Sequence, residues 1–197
     1  MSSSTIWNPT AALRIRPLWP LAAPAVVAVA YYLGAEIAFA IGTLTQQFAP
    51  FWPPNVVLLC ALLLTPRRHW PIYIAAAFPA HLLAERGMAM PLLQLLAAFA
   101  CNVSVALLNA TLLPRLLQGP GWLVGVRNAT LYLLVAVIAI PALVALAAGF
   151  EPILGGADPR LYWHFWSRWF LGNALGNLTL MPVFLTWFRD DHCKSNF

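Results

Sequence analysis

The stretch Phe51-Trp52-Pro53-Pro54-Asn55 lies between two apolar runs and constrains the fold of this chain more than any other. Neither proline has an N–H and each fixes φ, so no helix can pass through the pair from its N-terminal side. The residue before each proline is also pushed out of the helical region. Yet Val56 to Leu64 follows at once and is apolar throughout. A new helix therefore begins at this motif. Where such a break lies inside a bilayer, protein or a water-filled cavity has to cover the freed backbone.

A bilayer is where the chain belongs. Of its 197 residues, 61% are hydrophobic and 9% charged, whereas a soluble domain carries roughly a quarter charged residues. The 9 Trp and 5 Tyr suit membrane interfaces. The net charge of +5 is scattered, with no basic stripe and interleaved aromatics, which argues against nucleic acid as a partner. Cys60, Cys101 and Cys193 show no metal-like spacing, and two of them sit in apolar runs as small packing residues. No His or Cys cluster appears, and Asp190-Asp191-His192-Cys193 reads as a solvated tail. No metal and no cofactor are expected. No signal-peptide pattern is present, so the first apolar run reads as a retained anchor.

About six apolar segments can be drawn: Pro20 to Leu44, Pro54 to Leu64, Pro71 to Ala84, Met90 to Leu113, Ala129 to Phe150 and His164 to Phe188. A full span needs about 20 residues, so the second and third are short. The expected fold is all-α, a polytopic membrane helical bundle. Its expected parts are a cytoplasmic segment at 1–17, an integral membrane domain at 18–188 and a cytoplasmic tail at 189–197. With the N-terminus inside, Arg14, Arg16, Arg67, Arg68, Arg115, Arg127, Arg189 and Lys194 fall inside, and Arg86, Arg160 and Arg168 outside. This balance favours both termini in the cytoplasm. The alternative for segments two and three is a re-entrant hairpin.

The short second segment makes roughly 16–20 Å of helix at 1.5 Å per residue, less than a hydrocarbon core of about 30 Å. With Arg67-Arg68 at the inner surface, its Trp52-Pro53-Pro54 end lies below the outer surface. Helix N-termini carry partial positive charge and free N–H groups, and broken transporter helices use them to bind anionic groups. A ligand site and a packed turn both fit.

Glu36 is the acidic residue placed deep in a spanning segment, and Asn173 falls at a similar depth. Intramembrane carboxylates point to function, and a hydrogen-bonded packing role is the other reading. Asn102 and Asn109 share a helical face and read mainly as interhelical hydrogen-bonding groups. The stretch Trp163 to Pro182 begins as an aromatic belt. Gly172 and Gly176 permit close approach of another helix, Asn173 and Asn177 share a face, and Pro182 is a candidate bend.

Trp52-Pro53-Pro54, Arg67-Arg68-His69-Trp70-Pro71 and Trp169 through Pro182 together resemble the bacterial membrane-associated sensor domain of the first type, of the MASE group. Order and spacing fit across about residues 18–188. The resemblance implies an inner-membrane sensory input module serving a histidine kinase or a diguanylate cyclase, without catalysis of its own. Two departures stand out: Asn173 replaces the family's usual Asp, and Asn55 follows the prolines. The family's last helices and an effector domain are missing, so the chain reads as a truncated or stand-alone module.

The expected ligand site is a cavity on the outer half bounded by Glu36, Trp52, Pro53, Pro54, Asn55, Trp169 and Asn173, taking an unknown small ligand or a membrane partner. Gly172, Gly176, Asn177 and Pro182 are expected to relay its occupancy. A homodimer is a further expected partner state. The alternative function is a small-molecule transporter or its substrate-binding subunit, and a non-binding scaffold is a third reading.

Overall fold

The computed structural model describes residues 19–44, 51–117 and 123–193, with side chains at 19–21, 43–44 and 185–193 left aside. The expected segment 1–17, with Arg14 and Arg16, and Lys194 lie outside the described residues. The described chain is an all-α bundle, as expected. Its helices are α1 (Trp19–Leu44), α2 (Pro53–Leu64), α3 (Trp70–Glu85), α4 (Leu92–Leu116), α5 (Val126–Tyr132), α6 (Ile140–Ala148), α7 (Glu151–Leu154) and α8 (Tyr162–Cys193). Among the described residues, three stretches are long and apolar enough to cross a membrane: Ala22–Gly42, Leu92–Leu116 and Val126–Leu154. Val26, Val29, Leu33 and Ile37 stay exposed on α1, as lipid-facing side chains do.

Short α2 is the centre of the bundle. It packs against α1, α3, α4 and α8, and it is buried nearly all round, through Val56, Leu58, Leu59 and Leu62. A helix apolar on every side suits only such a position. It starts where the sequence requires: Trp52 is its N-cap, and the prolines take the first two helical positions. There their missing N–H groups are no loss, and two of the four unpaired donors of a helix start disappear.

Two glycines let this start sink into the bundle. A Cβ on Gly176 would lie 3.3 Å from the Trp52 carbonyl oxygen, and one on Gly34 would lie 3.2 Å from the Pro53 Cβ. The Trp52 N–H donates to the Gly172 carbonyl at 3.2 Å. Further down, the Cys60 Sγ lies 3.8 Å from the Met181 Sδ, so α2 and α8 run in the same direction.

The expected fifth segment has a feature that the apolar pattern does not reveal. Leu133–Ala139 is a π-helical stretch between α5 and α6, and the Ile140 N–H reaches back to the Val135 carbonyl. Pro141 lacks an N–H and crowds the carbonyl four residues before it, which favours a wider turn upstream. Side chains of α5 and α8 close the gap. Asn177 Nδ2 donates to the Ala136 carbonyl at 2.7 Å, and the Tyr132 hydroxyl donates to the Asn177 carbonyl. Tyr132→Phe is expected to lower the stability of the full chain in bicelles by about 1 kcal/mol, the net worth of one buried hydrogen bond. An unchanged SDS-unfolding midpoint would count against this latch.

Candidate functional site

The lengths of the helices create a space. At 1.5 Å per residue, α2 is about 18 Å long and α4 about 37 Å. Asn55, in the first turn of α2, meets Asn102, which lies about 15 Å along α4 from Leu92. Above that level α2 contributes nothing, and the neighbouring helices enclose a cavity of about 390 Å³. That volume is within the usual range for small-molecule sites.

The floor of the cavity is polar. Asn55 Nδ2 donates to Asn102 Oδ1 at 3.0 Å and to Asn173 Oδ1 at 2.6 Å. Asn173 in turn donates to the Trp169 carbonyl at 3.1 Å. Asn55, Asn102 and Asn173 are each at most 4% exposed. One amide thus ties α2 to α4 and α8, and its own Oδ1 has no hydrogen-bond partner.

The walls are largely apolar, with Phe39, Trp52, Met88, Met90, Pro152 and Trp169 around the chamber. Phe39 meets the Trp52 ring edge-on at 5.4 Å. Two acidic side chains, Glu85 from the end of α3 and Glu151 from the start of α7, also line it. Glu85 is only 7% exposed. Glu85 Oε2, Glu151 Oε1 and Trp52 Nε1 are buried without a hydrogen-bond partner.

The expected site residues divide as follows. Trp52, Trp169 and Asn173 line the cavity together with Gly172. Asn55 reaches it through its two amide bonds, and Pro53 and Pro54 are buried at the start of α2 beside Gly34. Gly176 lies against Trp52, Asn177 turns to the π-helical stretch, and Pro182 sits lower on α8. Glu36 is not brought to the chamber; it is exposed beside Tyr32. The inward face of α1 is set by Tyr31, Gly34, Ala35, Ala38 and Gly42, and at about 100° per residue Glu36 points roughly 140° away from it.

Glu85 and Glu151 are the acidic groups that the sequence reading missed. It ended the third segment at Ala84 and the fifth at Phe150, leaving each carboxylate one residue outside. The signal was the length of the third segment. A helix of 16 residues spans only about 24 Å, so its end, like the start of α2, falls short of the surface.

Asn109 donates to the Val105 carbonyl within its own helix rather than to a neighbour. Among the described residues, no group of three or more His, Cys, Asp or Glu side chains is placed to hold a metal ion. The family model MASE1, membrane-associated sensor domain 1, matches residues 19–192. No curated protein and no solved structure matches the chain.

Proposed function

The chain belongs to the MASE1 family of membrane sensory input domains, and on that premise we propose that it perceives a small ligand in the cavity above α2 and relays occupancy through α8. One observation carries this reading. Asn102 and Asn173 line the chamber, the Asn55 amide beneath joins them across three helices, and one of these helices continues far beyond the site. α8 meets the cavity at Trp169, Gly172 and Asn173 and runs on through Pro182 to Cys193. A guest that favours one placement of α8 over another shifts the balance between two states of the bundle. Pro182 offers a compliant point, because it leaves the Leu178 carbonyl without its helical donor.

In this reading the module sits in a bacterial inner membrane with both termini cytoplasmic and the cavity facing outward. Arg67, Arg68 and Arg115 lie at the end of the bundle opposite the cavity and support that orientation. The receiver is a histidine kinase or a diguanylate cyclase, and the module itself carries out no chemistry.

The test is a diguanylate cyclase reporter fused after α8 of the full chain. Trp52→Ala and Asn173→Leu are each expected to shift its output away from the wild-type level at equal membrane abundance. Unchanged output in both variants would contradict the site. A half-length helix ending at a chamber is also a transporter device, so uptake of solute by vesicles containing the purified chain would favour that function instead.

A further inference from the structure

We propose that the occupant of this cavity is a small organic cation, a protonated amine with an apolar body. The proposal rests on the reading of the cavity as the sensing site and adds the chemistry of its ligand.

Glu85 and Glu151 come from different helices and face one chamber. Each has an oxygen that is buried and makes no hydrogen bond. Neither has a basic partner among the described residues. Cys101, beside Glu151, brings no positive charge. Removing carboxylates from water is costly unless a cation and hydrogen bonds compensate. Here the protein supplies two acceptors and leaves the positive charge to a guest. An ammonium group has three donors and no acceptor, which matches a pair of unfilled carboxyl oxygens.

The walls select the rest of the molecule. Trp52 and Trp169 line the same chamber, and tryptophan faces attract cations. Phe39, Met88, Met90 and Pro152 present carbon surface. A bare divalent ion would need a fuller shell of oxygen ligands than two carboxylates provide, and the apolar walls would gain nothing from it. An anionic guest would meet both carboxyl groups. A cation with a hydrocarbon body satisfies the carboxyl groups and the apolar walls together.

The test is equilibrium binding of radiolabelled phenethylammonium to the purified full chain in lipid nanodiscs, reading the saturable component. The neutral isostere 2-phenylethanol and the anion 3-phenylpropionate serve as competitors. Phenethylammonium is expected to bind saturably, with both competitors weaker by about tenfold or more, the scale of one hydrogen bond to a charged group. Glu85→Gln and Glu151→Gln are each expected to weaken phenethylammonium by a similar factor, whereas Glu36→Gln leaves it unchanged. Competition by the neutral isostere or the anion at equal strength would overturn the cation assignment and leave the cavity a ligand site of other chemistry. Undiminished affinity in both Gln variants, or no saturable binding, would also overturn it. The reporter output of Trp52→Ala and Asn173→Leu judges the sensing site separately.

Discussion

Gly176→Leu is expected to destabilise the full chain by about 3 kcal/mol, because it forces a side chain into backbone. A Cβ at this position already lies 3.3 Å from the Trp52 carbonyl oxygen. Backbone cannot rotate away as a flexible side chain can. The Trp52 segment is also held by its N–H bond to the Gly172 carbonyl and by Pro53 packed against Gly34. A leucine therefore lifts the start of α2 out of the bundle, with loss of the packing around the central helix. Gly176→Ala asks only for a shift of a few tenths of an ångström and is expected to be mild. Gly87→Leu is the control, since nothing lies within 4 Å of a Cβ there. SDS unfolding in bicelles separates the three. If Gly176→Leu unfolds at the same midpoint as Gly87→Leu, α2 is not seated as described.

Asn55→Leu is expected to cost about 2 kcal/mol, because two buried acceptors lose their donor. Leucine keeps the branched side chain of asparagine but has no donor, and its larger volume adds strain to the lost hydrogen bonds. Asn102 Oδ1 and Asn173 Oδ1 would both be left unpaired in the core. Hydrogen bonds between membrane helices average less than this individually, about 0.6 kcal/mol, but here one substitution removes two. The Asn55→Leu/Asn173→Leu double variant is expected to fall short of the sum of its singles, since both remove the same bond. Strict additivity would show that the amide does not join α2 to α8. Asn55→Leu is also expected to change reporter output, because the bond that fails couples the cavity floor to α8.

The placement of α2 was legible in the sequence, because Pro53 and Pro54 allow one local answer. The role of the glycines was also legible in part. Gly172 and Gly176 signalled close approach, but the segment that approaches is the Trp52 turn rather than a full neighbouring helix. The orientation of Glu36 was not legible. α1 is apolar on both its lipid and its protein sides, as membrane helices are, so no polar face marks which way it turns. The carboxylates of the cavity were hidden by segment boundaries, because Glu85 and Glu151 are where an apolar run stops. The π-helical stretch was hidden for a different reason. Leu133–Ala139 has no polar residue, and the groups that fill its gap, Tyr132 and Asn177, lie outside it.

Cysteine accessibility tests directly whether the space above α2 is a chamber that solutes reach from the outer side. In a chain with Cys60, Cys101 and Cys193 replaced by Ala or Ser, single cysteines are placed along α4 and exposed in intact spheroplasts to a membrane-impermeant cationic methanethiosulfonate. Ala98 lines the cavity, Ala100 is exposed on the outside of the bundle, and Ala106 is packed in the core with α2. Ala98→Cys is predicted to react readily, while Ala100→Cys in lipid and Ala106→Cys in the core stay protected. Labelling of Ala98→Cys no faster than Ala106→Cys, or only after the cells are opened, would contradict an outward-facing chamber.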